Sequence, residues 1–261
     1  MTPSGGPLHP AASIGFQRAA EAYRRGRPDY PAEAVGFLAE VLDLSPGRVM
    51  LDLGAGTGKL TRLLVPFGAE VVAVEPVDAM REALAASLPE ARVAAGRAEA
   101  IPLADATVDA AVAAQAFHWF DGPAALRELR RVLRPEGRLA LVWNVRDEEG
   151  SEFWAGVSDL LAPYRGETPS HRTMAWLRPF DDTDLFTELR TRTFAYEHPT
   201  TRDGAVDRVL STSFVAALPE QDQAVVRERV LHLLDTDPEI GSDADEFVLP
   251  YRTDVQWCVR L

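Results

Sequence analysis

Between residues 46 and 144 short apolar runs alternate with stretches whose apolar positions recur every three or four residues. That alternation predicts strands and helices in turn, as in a parallel sheet covered on both faces. The runs 49–53, 70–74, 91–95, 108–114 and 138–143 read as five buried strands. Between them, 59–67 carries Leu60, Leu63, Leu64 and Phe67 at helical spacing, 78–88 aligns Met80, Leu84 and Leu88, and 123–133 aligns Leu126, Leu129 and Leu133. Asp78 is placed to cap its helix, and Pro135-Glu136-Gly137 reads as a turn. An amphipathic helix over 31–42 precedes this core, with Pro31 suited to its first turn.

Past residue 144 the pattern loosens. Helices are predicted over 152–161, 204–217 and 220–234, and the prolines of 163–179 predict irregular chain. Alternation at 189–196 and 247–259 predicts two more strands, the second with Val255, Trp257 and Val259 on one face. The expected architecture is α/β: a doubly wound, mostly parallel, seven-stranded Rossmann-like sheet with helical lid insertions late in the chain. One domain is expected over 15–261, with a core at 31–147, insertions near 148–180 and 200–243, and a final strand at 246–260. A Pro-, Gly- and Ala-rich stretch at 1–14 reads as a disordered lead-in. Open α/β sheets bind ligands at the carboxyl ends of their strands, so a lid there would cover the site.

Charge narrows the partners. The 261 residues carry 27 Lys+Arg against 40 Asp+Glu, a formal net charge of −13. Such a surface repels phosphate backbones, so no nucleic-acid partner is expected. The arginine runs at 24–27 and 127–134 fall on helical patterns and read as solvated charges. No apolar run is long enough to span a bilayer, and the first residues lack a signal pattern. Cys258 is the only cysteine and reads as a small buried hydrophobe, and His171, His198 and His232 are scattered, so no metal is expected. These features predict a cytoplasmic protein with no membrane partner. Lys59 is the only lysine, an arginine bias of the kind seen in GC-rich bacterial genomes.

The chemistry concentrates at Asp52-Leu-Gly54-Ala55-Gly56-Thr57-Gly58, which follows a predicted buried strand and opens a predicted helix. Glycines there let the chain turn sharply and let a ligand approach the backbone. A phosphate-binding loop requires Gly-x4-Gly-Lys-Ser/Thr, but Leu53 and Leu60 occupy two of those positions. A dinucleotide loop requires Gly-x-Gly-x-x-Gly, and counting from Gly54 the sixth position is Lys59. Asp-x-Gly-x-Gly-x-Gly fits without a gap. It suits a ligand without pyrophosphate, whose ammonium group an acid at the loop entrance can take. Glu75, ending the next strand, is placed to accept from two ribose hydroxyls.

This segment resembles motif I of the class I S-adenosylmethionine-dependent methyltransferases, and the order of later segments agrees. Gly96-Arg-Ala98-Glu99-Ala-Ile-Pro102 resembles the adenine loop, and the stretch from Asp109 through Gln115, Ala116, His118 and Trp119 to Asp121 resembles the fourth strand and the loop facing the methyl group. Tyr23-x3-Arg27-Pro28-x-Tyr30-Pro31 and Gln115-Ala-Phe-His118-Trp119-Phe are similar to the type 11 group, which includes trans-aconitate methyltransferase-like small-molecule enzymes. The resemblance covers about residues 15–145 and implies S-adenosyl-L-methionine as cofactor. It implies cofactor contacts from Tyr23, Arg27, Asp52, Gly54, Ala55, Gly56, Thr57, Gly58, Glu75, Pro76, Met80, Ala98, Glu99, Gln115 and Ala116. His118, Trp119 and Asn144 fall on the substrate side, and His118 is the candidate catalytic base. Many relatives carry Asp where Arg97 stands; Arg cannot accept the adenine amino group, which shifts that role to the Ala98 backbone and Glu99. The expected reaction is O-methylation of a carboxylate or hydroxyl. A nicotinamide-dependent oxidoreductase and a cofactor-binding protein without catalysis are the competing readings.

Overall fold

In the computed structural model, which describes residues 27–166, 168–241 and 244–261, seven strands form one sheet. They are β1 (Val49–Leu53), β2 (Glu70–Val74), β3 (Arg92–Ala94), β4 (Val108–Ala114), β5 (Leu133–Arg146), β6 (Arg190–Thr201) and β7 (Glu246–Val259), in the order β3-β2-β1-β4-β5-β7-β6. The first five are parallel, and β7 runs antiparallel between β5 and β6. Strand order reverses at β1, between β2 and β4, which is where such sheets open a ligand crevice.

Side chains alternate across each strand, so neighbouring residues serve different layers. Leu51 and Ala111 pack with Ala125, Leu126 and Leu129 of the helix α4 (Gly122–Val132). Met50, Val112 and Val142 face the other way, onto Ala34, Val35 and Leu38 of α1 (Ala32–Val41). The short α2 (Thr61–Leu64) and α3 (Asp78–Ser87) complete this part. A third apolar cluster lies among α5 (Glu152–Arg165), α7 (Arg202–Leu210) and α9 (Glu220–Thr236), which meet Leu249 and Tyr251 of β7. The short α6 (Arg178–Asp181) and α8 (Ser213–Ala216) fall between these helices in the chain. Cys258 is buried, and among the described residues no helix is long and apolar enough to cross a membrane.

Several local expectations change. Pro31 is the N-cap of α1 rather than a first-turn residue, and Asp78 does not cap α3; it pairs with Arg81 at 2.7 Å. The expected turn at Pro135-Glu136-Gly137 is a bulge inside β5: pairing jumps from Val108–Leu133 to Ala110–Arg138, with Glu136 at φ +61°. β5 runs on to Arg146 because β7 pairs with its far end, so Asn144 is inside the strand rather than past it. The helix expected over 204–217 starts at Arg202 and breaks at Ser211 and Thr212 into α7 and α8. The one expected over 152–161 continues to Arg165, through Pro163.

Candidate active site

The glycine loop leaves β1 and crosses the end of the sheet. Gly54 sits at φ +73°, and a Cβ there would lie 2.8 Å from Ala116 Cβ. Only glycine allows the loop to lie this close to the end of β4. The amides of Gly54 and Ala55 donate to Val74 O at 2.8 and 3.3 Å, which ties the loop to β2. Glu75 follows at once and is 5% exposed. Its Oε1 accepts from the Val77 amide at 2.9 Å and its Oε2 from the Gly56 amide at 2.8 Å. Burial pushes this carboxyl above the usual range, against the opposing pull of those two amides and of Arg81. Each oxygen keeps a lone pair for a further donor. Pro76 lies between Glu75 and α3, and Met80 of α3 is buried with its sulfur 3.8 Å from where a Gly56 Cβ would stand.

Asp52 is inside the wall rather than at the loop entrance, at 1% exposure. Its Oδ2 accepts from Thr61 Oγ1 at 2.6 Å, while its Oδ1 has no hydrogen-bond partner among the described residues. Burial raises its pKa to about 7; the Thr61 bond opposes this and Glu75 adds to it. Thr57 Oγ1 is likewise buried without a partner. Buried polar atoms of this kind ordinarily find a partner in protein, ordered water or a ligand.

Across the crevice, Ala98 is buried in the loop after β3. The Glu99 carboxylate turns toward Arg97, at 3.4 Å, and accepts from the Asp121 amide at 3.0 Å. That loop is clamped onto α4: Glu128 accepts from the Ile101 amide at 2.8 Å, and Arg131 donates to Ile101 O and Leu103 O at 2.9 and 2.7 Å. The 127–134 arginine run is therefore not merely solvated. Arg134 also reaches the buried Asp109 at 2.6 Å.

At the end of β4, Gln115 takes φ +57°, a left-handed conformation uncommon for a residue other than glycine. It is held by its amide to Val142 O at 2.8 Å and by Nε2 to Asn144 O at 3.0 Å. Buried Ala116 and a 3₁₀ turn, Phe117–Trp119, follow. The His118 ring lies 5.0 Å from Trp119 and 5.3 Å from Trp143, and its Nδ1 has no partner among the described residues. Burial, with His171 and Arg27 nearby, lowers its pKa to about 3, so the ring is neutral. His171 is not scattered: it packs 4.5 Å from Trp143 and stacks on Trp176 at 5.6 Å. Together with Arg27, Trp119, Asn144 and Arg146, the Gln115–His118 turn borders a cavity of about 520 Å³ whose far wall comes from α5, α7 and α8.

Comparison with known proteins settles what this frame belongs to. Residues 51–141 match the family model described as a methyltransferase domain. An uncharacterized methyltransferase of Mycobacterium tuberculosis is 39% identical over 248 residues, 95% of this chain and 95% of that one. The chain belongs to the methyltransferase family. A malonyl-[acyl-carrier protein] O-methyltransferase of Methylococcus capsulatus is 38% identical over 137 residues, covering 50% of this chain and 47% of that one. A solved structure from Anaeromyxobacter dehalogenans, described as a type II methyltransferase, is 28% identical with a TM-score of 0.61, covering 90% of this chain and 96% of that one.

In this methyltransferase the Arg-Pro-x-Tyr-Pro segment is a strap over the strand ends. Lys59 Nζ donates to Arg27 O and pairs with Asp29 at 3.3 Å. Asn144 Nδ2 donates to Asp29 O at 3.2 Å, and so does Tyr196 Oη at 2.9 Å. Asn144 thus joins the strap to Gln115 as well as bordering the cavity. Tyr23 lies outside the described residues. Sequence reasoning missed Lys59, Tyr196 and Arg208 as residues around the site. Lys59 carried a signal, as the sole lysine directly behind the glycine loop. Tyr196 and Arg208 carried none, since each arrives from far along the chain.

Proposed function

We propose that this methyltransferase binds S-adenosylmethionine at the glycine loop and methylates a carboxylate oxygen of a small molecule lodged in the cavity. The loop fits the cofactor's methionine end: Asp52 Oδ1 suits its ammonium group, and Thr57 Oγ1 can donate to its carboxylate. Arg27 and Tyr23 would close over the same end. Glu75 keeps lone pairs for the ribose, with Pro76 and Met80 beside it, and Ala98 and Glu99 would flank the adenine. Helices α5, α7 and α8 would serve as the lid. When bound, the cofactor would supply an electrophilic methyl group on a cationic sulfur. The protein's work is to orient the acceptor and exclude water.

The observation that carries the choice of acceptor is the His118 ring, buried against Trp119 and Trp143 with no partner on Nδ1 among the described residues and held neutral there. A hydroxyl acceptor needs a base near neutral pKa, and burial makes His118 a poor one. A carboxylate is already ionised and needs none. His118 would then position the acceptor by a hydrogen bond, with Trp119 and Asn144 bordering it. The Methylococcus capsulatus relative, named as an O-methyltransferase, agrees with oxygen as the receiving atom. The test is transfer of tritiated methyl from S-adenosylmethionine across a panel of organic acids and alcohols, followed by mild alkali. Release of the label as methanol marks a methyl ester. Label that resists alkali would contradict the carboxylate reading.

A further inference from the structure

The cavity wall beyond His118 is cationic in a chain whose net charge is −13. Arg146 ends β5 and Arg208 comes from α7, where it is 8% exposed among Ala205, Val206 and Val209. The two guanidinium groups are close enough to repel each other, and Arg27 adds a third positive charge. Burial, then Arg208, lowers the Arg146 pKa to about 9, against the opposing pull of Tyr251 and Glu148. Arg146 stands 4.7 Å over the Trp154 ring and donates to Thr212 Oγ1 at 3.3 Å. No carboxylate forms an ion pair with it among the described residues. The acids of the same wall are engaged or exposed: Glu148 pairs with Arg172, Asp147 accepts from the Gly150 amide, and Glu149 is exposed. Bringing like charges together in a partly dry wall opposes folding. A planar donor fork repeated on two elements matches an oxyanion held from two sides.

Resting on the carboxylate reading above, we propose that the acceptor carries a second oxyanion, a carboxylate or phosphate, gripped between Arg146 and Arg208. The group that receives the methyl then lies toward His118, and the product is a monoester that keeps the second oxyanion. This assigns Arg146 and Arg208 as specificity residues for dianionic acids.

The experiment uses the full chain saturated with S-adenosylhomocysteine and titrates it calorimetrically with three sets of probes. These are straight-chain dicarboxylic acids of four to eight carbons, phosphonocarboxylic acids of matched length, and the corresponding monocarboxylic acids. At least one dianion is expected to bind at least tenfold tighter than its monoanionic match. Arg146→Met and Arg208→Met should each remove that preference while leaving S-adenosylhomocysteine affinity within about twofold. Arg146→Lys, which keeps the charge but loses the fork, should keep part of it. Arg146→Met should also melt no lower than the parent chain, because it relieves repulsion; a purely structural arginine would lower the melting temperature. Equal binding of monoanions and dianions, or an unchanged preference in Arg146→Met, would overturn the proposal. Failure of the carboxylate reading looks different: a dianion binds but turnover places the label in an alkali-resistant position.

Discussion

Asp52 is a buried acid with one oxygen on Thr61 and the other without a protein partner, and that asymmetry makes its protonation a reporter. Its pKa moves from 3.8 to about 7 on folding of the empty enzyme. Below 3.8 both folded and unfolded chains hold the proton; between 3.8 and 7 only the folded one does. Its contribution to stability is thus present below 3.8 and lost as pH rises through about 7. Melting of the ligand-free enzyme should show this loss between about pH 4 and pH 7 and level off above it, and Asp52→Asn should flatten it. An ammonium group on Oδ1 needs the ionised acid, so affinity for S-adenosylhomocysteine should fall with pH below 7, approaching tenfold per unit. A pH-independent affinity in the parent chain would remove the proposed contact. Gly54 makes a second residue-scale case. Gly47 and Gly54 both have positive φ, +88° and +73°, but a Cβ at Gly47 meets nothing while one at Gly54 meets Ala116. Gly47→Ala should cost about 1–2 kcal/mol of backbone strain. Gly54→Ala should cost more and also weaken cofactor binding, as read from denaturant midpoints and calorimetry.

Among the elements, the parallel core was the most legible. The bounds expected for β1, β2 and β4 match the observed ones, because strands buried on both faces read as unbroken apolar runs. β5 and β6 were read too short, ending at Trp143 and Tyr196 instead of Arg146 and Thr201. Their added residues are held by pairing with β7, from Glu197↔Pro250 to Thr201↔Glu246 for β6 and from Asn144↔Thr253 to Arg146↔Tyr251 for β5, separations that local periodicity does not carry. The same limit hid part of the site. The loop glycines and Glu75 are neighbours in one strand–turn pattern, whereas the strap needs Lys59, Asn144 and Tyr196 to meet at residues 27–29. Lys59→Met should leave the melting temperature nearly unchanged, since the ion pair with the exposed Asp29 adds little stability. It should nonetheless speed amide exchange at residues 29–30 and weaken cofactor binding several-fold. Unchanged exchange would mean that Asn144 and Tyr196 hold the strap without it. Arg131 was read as a solvated charge, yet it holds the carbonyls of Ile101 and Leu103. Arg131→Gln should loosen the loop carrying Ala98 and raise the cofactor dissociation constant more than it lowers stability.

Across the whole molecule, the sheet joins two half-sites. The glycine loop, Glu75 and the Ala98 loop gather at the ends of β1, β2 and β3, while Gln115, His118, Asn144 and Arg146 gather at the ends of β4 and β5. Gly54 against Ala116 is where the halves touch, so on the proposed reading a ligand on one side would meet a ligand on the other. On the proposed reading, the negative surface and the arginine-lined cavity would act together, favouring a small acid inside and disfavouring polyanions outside. All of this depends on the glycine loop being a sulfonium-cofactor site. Calorimetric titration of the full chain with S-adenosylhomocysteine tests that most directly. One saturable site per chain is predicted, with affinity at least tenfold weaker in Asp52→Ala and in Glu75→Ala. A folded protein that gives no binding heat at millimolar ligand, or two variants that bind as tightly as the parent, would contradict the account.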